Sequence, residues 1–171
     1  IKAFSIDDAT TTEIDDAFSV QPLSLGSFRI GIHIAAPALG ILPGSQLDQI
    51  AAKRLSTVYL PGKKVTMLPN EVIQHFTLAE AVYSPALSLY LDVSDDFTVM
   101  TRQSKIEMIQ VVANLRHDSL EQLFNEETLR KKIIDYPFAK ELGLLWNFAK
   151  KMEALRGKEN DINNEKIDYS F

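Results

Sequence analysis

Apolar and polar residues alternate through much of the first hundred positions, and the later part of the chain shifts to helical spacing. The alternation predicts short strands at Lys2 to Ile6 and Ala17 to Val20 on either side of an acidic loop. Gln21-Pro22-Leu23-Ser24-Leu25-Gly26 then supplies a turn into a third strand, Phe28 to Ile34. Pro37, Gly40, Pro43 and Gly44 mark a loop, and Ser45 is placed to cap a helix with Leu47, Ile50, Ala51 and Leu55 on one side. Short strands are predicted at Thr57 to Leu60 and Val65 to Leu68, separated by Pro61-Gly62, before Pro69-Asn70 opens a helical turn through Phe76. Ala86 to Val93 alternates, Asp95-Asp96 suits a hairpin turn, and Thr98 to Met108 returns as its partner. From there Ile109, Val112, Ala113, Arg116, Leu120 and Leu123 trace a helix. A second helix, about Phe138 to Leu155, gathers Leu142, Leu145, Phe148, Met152 and Leu155 on one face. Lys158 to Lys166 reads as a polar loop and Ile167 to Phe171 as a strand beginning.

These elements predict a mixed α/β (α+β) domain: a mixed, largely antiparallel sheet flanked by helices. Its parts are a strand-rich segment (1–108), a helical one (109–157) and a polar tail (158–171). At 171 residues and 46% hydrophobic content, one core is expected. The absence of cysteine excludes disulfide partners, thiolate metal sites and a Cys nucleophile. A formal charge of -5 gives no global attraction to nucleic acid, so a polyanion would have to be held by local basic groups or by metal. No apolar run is long enough to suggest a membrane span, and a soluble, cytoplasmic protein is the expectation. The initial Ile suggests a piece cut from a longer polypeptide, whose severed edges would favour association with a second copy.

Candidate chemistry is concentrated at one place. Asp7, Asp8, Glu13, Asp15 and Asp16 fall within ten residues, with no Lys, Arg or His between Lys2 and Arg29. Carboxylates this crowded repel one another and take up protons unless a cation offsets them. The pattern points to a hard divalent metal, and metals held by several acids commonly handle phosphate. A calcium loop counted from Asp7 fails, because Thr12 stands where glycine is needed and Phe18 where glutamate is needed. An Asp-x-Glu exonuclease core on one strand fits the chemistry and not the spacing.

Phe4-Ser5-Ile6-Asp7 through Glu13-Ile14-Asp15-Asp16-Ala17 resembles the signature of the ribonuclease II and ribonuclease R family, processive 3'-to-5' exoribonucleases whose catalytic unit is the RNB domain. Gly31-Ile32-His33-Ile34-Ala35, Pro43-Gly44-Ser45-Gln46-Leu47-Asp48, Val58-Tyr59-Leu60-Pro61 and Met67-Leu68-Pro69 resemble further elements of that family in the same order. Ala86-Leu87-Ser88 and Ala113-Asn114-Leu115 match more weakly. The likeness spans roughly residues 2 to 125, the first part of such a catalytic domain.

The resemblance implies a Mg²⁺ site with Asp7, Glu13 and Asp16 holding metal and Asp15 as the catalytic acid on which the chemical step depends most. It implies hydrolysis of single-stranded RNA to nucleoside 5'-monophosphates. Glu13 departs from the pattern, which usually has Asp there, and Ala36 stands where many relatives carry Asp. Tyr59 is expected to stack on the RNA end. His117, where relatives of the ribonuclease II kind carry a Tyr, is a second RNA-binding candidate. His33, in an apolar strand, reads as a hydrogen-bonded core residue. Arg54, Lys63 and Lys64 read as solvated surface, with phosphate contact as the other option. Trp146 and Phe148 suit a helix core. Two other classes stay open: a degenerate RNB-like domain that binds RNA or a protein without cutting, and a metal-dependent phosphohydrolase acting on a small substrate.

Overall fold

In the computed structural model, which describes residues 1–131 and 133–156, the strands close into a five-stranded barrel. Strands β1 (Ala3–Asp7), β2 (Asp16–Pro22), β3 (Phe28–Ala35), β6 (Tyr83–Val93) and β7 (Val99–Arg116) form it in that order. Neighbours are antiparallel except at the closing seam, where β1 runs parallel to β7 with Asp7 opposite Arg116. The expected mixed, largely antiparallel sheet with helices is what is found, and its closure is the added feature.

Between β3 and β6 lie α1 (Gln46–Arg54), a separate hairpin of β4 (Val58–Leu60) and β5 (Lys63–Val65), and α2 (Asn70–Phe76). Ser45 caps α1 as its sequence suggests, its hydroxyl accepting from the Asp48 amide at 3.2 Å. After β7 come α3 (His117–Glu121), α4 (Glu126–Arg130) and α5 (Ala139–Leu155).

Two expectations are corrected. The helix predicted from Ile109 does not begin there: β7 continues to Arg116, so the strand-rich part ends at 116 rather than 108. Ile109, Val111 and Val112 are β-branched, and pairing with both β6 and β1 outweighs a pattern that helical spacing fits equally well. The strand predicted at Val65 to Leu68 is displaced to Lys63–Val65, because Leu68 turns into the protein, 8% exposed, ahead of α2. The expected loop and strand at 158–171 lie outside the described residues.

Register explains how the two faces of the sheet divide. Direct partners share a face, so Ser19 and Gly31, His33 and Ser88 stand together on one side, and Phe18, Ile32 and Leu89 on the other. The second face carries α5: Leu144, Leu145 and Phe148 pack against the Phe28, Ile30, Leu91 and Val93 cluster, and Phe138 meets the Phe4 ring at 4.6 Å. The first face turns inward, and small groups such as Ser5, Ser19 and Ser88 leave space there for a few larger ones. His33 is fully buried there, sharing hydrogen bonds with Ser19 Oγ at 2.9 Å and Ser88 Oγ at 2.7 Å. A Cβ at Gly31 would collide with the Ser19 hydroxyl and the His33 ring, so glycine is the residue that lets the imidazole in. Among the described residues, no helix is long and apolar enough to cross a membrane.

Candidate active site

The acidic loop joins β1 to β2 and is fastened from several sides. Ile14 is its plug: 4% exposed, it enters the core cluster of Ala3, Ala17, Leu78, Ala86, Ile109 and Val111. Its amide donates to Thr77 Oγ1 at 2.8 Å, and its carbonyl accepts from the Leu78 amide at 2.9 Å. With that side chain turned inward, Glu13 and Asp15 on either side of it line a cleft beside the loop. Arg116 closes the other edge, its guanidinium donating to the carbonyls of Asp8 at 2.8 Å and Thr11 at 3.4 Å. The Asp15 carbonyl accepts from the Ala35 amide at 2.8 Å, tying the loop to the end of β3.

Each acid has its own setting. Asp7, at the end of β1, accepts a hydrogen bond from Ser5 Oγ, and Ser5 in turn accepts from the Asn114 side-chain amide at 2.8 Å. Asp15 and Asp16 reach solvent, yet nearby protein withdraws enough water to raise both carboxyls above the usual range. Desolvation is the leading cause for both. Asp15 is raised further by Glu13, Asp16 and Asp7 and lowered by Lys64, and Asp16 is raised further by Asp7. Glu13 is paired with Lys64 Nζ at 2.6 Å, and Thr57 Oγ1 donates to its other oxygen at 3.5 Å. Asp8 is exposed on the loop and contributes its backbone carbonyl to Arg116.

A cleft of about 530 Å³ opens beside the loop. Glu13, Asp15 and Tyr59 line it together with Thr57, Ile34, Met67, Phe76 and Thr77. Tyr59, on β4, is 69% exposed, an unpacked ring at the cleft wall. Asp7 and Asp16 do not line the cleft; Asp15 and Asp16 are tied to Asp7 through their shared electrostatic field. His117, also outside the cleft lining, is exposed at the start of α3, one residue after Arg116.

The donor set is that of a hard divalent cation: carboxylate oxygens alone, whose mutual repulsion a bound ion would relieve. As the side chains stand, no group of three or more His, Asp or Glu among the described residues is arranged to hold a metal. Asp7, Asp15 and Asp16 are the electrostatically linked members, and Lys64 engages Glu13. The residues fit such an ion in chemical type, with Glu13 as the member already spoken for.

Comparison with known proteins settles the family. The sequence model of the RNB domain matches residues 1–171. The chain belongs to the RNB-domain family. DIS3-like exonuclease 2 of Arabidopsis thaliana is 33% identical over 122 residues, which cover 71% of this chain and 12% of that protein. The Arabidopsis thaliana protein named inactive exonuclease DIS3L2 matches with the same figures. Mycoplasma genitalium RNase R, solved in complex with ribose methylated single-stranded RNA, superimposes with a TM-score of 0.75 at 21% identity, covering 92% of this chain and 24% of that one. The RNB fold is therefore shared, and the chain spans a quarter or less of the length of these relatives. RNB relatives thus include proteins named as exonucleases and one named as inactive.

Sequence reasoning named the acids and Tyr59 as candidates and read His33 as a core residue, which it is; it missed three residues that structure the loop. Lys64, taken as solvated surface, is the counter-ion of Glu13. Asn114 links Ser5 to the backbone of Leu78 and Glu80 beside the loop. Arg116, read as one turn of a helix, ends a strand and grips the acidic loop. Arg54 donates to the Thr66 carbonyl at 2.9 Å and braces the end of the hairpin.

Proposed function

We propose that this RNB chain carries the acidic site of a Mg²⁺-dependent 3'-to-5' exoribonuclease that degrades single-stranded RNA processively to nucleoside 5'-monophosphates. The observation that carries this reading is the conjunction of an RNB-family match over residues 1–171 with Glu13, Asp15 and the exposed Tyr59 ring around one cleft. Asp7, Glu13 and Asp16 would hold the metal, which when bound supplies an acidified water and charge stabilisation at phosphate. Asp15 would accept a hydrogen bond from the attacking water and orient it toward phosphorus. Desolvation, and after it the three neighbouring acids, raises its proton affinity in the ion-free site. Tyr59 would stack on the terminal base, with His117 as a second stacking surface, and neither role depends on base identity. The apolar wall of Ile34, Met67 and Phe76 would limit water beside the reacting phosphate.

Asp15→Asn in the intact protein should lower the rate of mononucleotide release from labelled single-stranded RNA by about 10³-fold, on the scale of a lost acid–base group. Oligonucleotide binding should stay within about twofold. Unchanged turnover would reject the role given to Asp15. A second reading, an RNB-like domain that binds RNA without cutting, is favoured by the Lys64 pair that occupies Glu13. Binding with no loss of label at saturating Mg²⁺ would select it.

A further inference from the structure

The β4–β5 hairpin stands apart from the barrel as a two-stranded sheet, and all six of its strand residues are exposed. A hairpin of this size holds little structure by itself, so its position must come from contacts at its edges. Leu68 anchors the chain after β5, and Arg54 holds Thr66. Within the hairpin itself, Lys64 reaches across to the acidic loop, donating to Glu13 Oε1 at 2.6 Å and to Thr12 Oγ1 at 2.9 Å. Thr57, just before β4, donates to the other Glu13 oxygen at 3.5 Å and accepts from the Met67 amide at 3.2 Å. The pairing register sets Lys64 directly opposite Tyr59.

We propose that Lys64 is a positioning residue: by bridging Glu13 and Thr12 it latches the hairpin to the acidic loop and so fixes its cross-strand partner Tyr59 at the cleft. This rests on the reading of Tyr59 as a stacking surface for RNA. Lysine suits the task because one ammonium can donate to several oxygens at once. The Glu13 side chain is 12% exposed and that of Lys64 35%, so the pair is shielded from solvent on the glutamate side. The latch gives Glu13 a partner on the hairpin.

The test uses the intact protein in the presence of a chelator, so that metal plays no part. Hydrogen exchange of amides 58–65 should be on the order of tenfold faster in Lys64→Met than in the parent and close to the parent in Lys64→Arg, which keeps the charge and the reach. Affinity for a labelled single-stranded oligoribonucleotide should fall roughly three- to tenfold in Lys64→Met and in Tyr59→Ala, the scale of one lost stacking contact. The double variant should lose no more than the larger single, because Lys64 acts through Tyr59. Additive losses would assign Lys64 to direct phosphate contact and overturn the proposal, as would unchanged exchange in Lys64→Met. A parent protein that binds no RNA would sink the stacking role of Tyr59 and the link to it, and the exchange measurement would still decide whether the latch exists.

Discussion

His33 shows how one residue can be legible while its surroundings are not. An imidazole inside an apolar strand, with no other ligand type nearby, reads as a core residue, and it is one. Its hydroxyl partners, Ser19 and Ser88, lie 14 and 55 positions away and meet it only through the pairing of β2, β3 and β6. Burial holds the His33 imidazole below its usual range; Glu107 pulls the other way and Lys105 assists the lowering. The unfolded chain therefore binds a proton that the folded chain refuses. The stability this group confers is full above the ordinary value of 6.5 and is lost as pH falls from there through the depressed folded value. In urea melts, the stability advantage of the parent over His33→Gln should shrink between about pH 7.5 and pH 5, since the variant has nothing to protonate at this position. Lys64 is the opposite case. No local signal ties it to Glu13, 51 residues earlier, and a lysine in a polar hairpin is ordinarily solvated.

At the scale of elements, α5 matches the helix expected at about Phe138 to Leu155, because its apolar residues recur at helical spacing. Sequence cannot say how deeply each position on that face is buried. Leu142 is 3% exposed against the barrel, and Leu155 at the far end is 70% exposed. Leu142→Ala should cost about 2–4 kcal/mol in unfolding free energy and Leu155→Ala less than about 0.5 kcal/mol, measured by denaturant melts. Equal costs would mean that α5 docks elsewhere. The later part of β7 departs from its expected helix for a related reason: Ile109, Val112, Ala113 and Arg116 satisfy a helical template, and only the availability of β1 and β6 as partners decides for strand. Pairing of that kind is non-local, so it leaves its mark on the sequence only as β-branched composition.

For the whole molecule, the formal charge of -5 and the raised Asp15 and Asp16 describe a fold whose acidic loop disfavours its own anions, by desolvation first and by mutual repulsion after it. A divalent ion that binds only the assembled loop should therefore stabilise the protein by mass action, about 2.7 kcal/mol at a hundredfold excess over its dissociation constant. Adding Mn²⁺ or Mg²⁺ should raise the melting temperature, a chelator should reverse the rise, and Asp7→Asn combined with Asp16→Asn should abolish it. Absence of any shift in the parent would remove the metal from the proposed chemistry.

The seam between β1 and β7 also orders events during synthesis. Asp7 and its neighbours leave the ribosome among the first residues of this segment, while Ser5's partner Asn114 follows 109 positions later. Until β7 emerges, the acids have no parallel neighbour and no Arg116 to grip their loop, and closing so long a span is slow. A nascent or prematurely stopped polypeptide ending before that strand would carry all five acids without the Arg116 clasp on their loop.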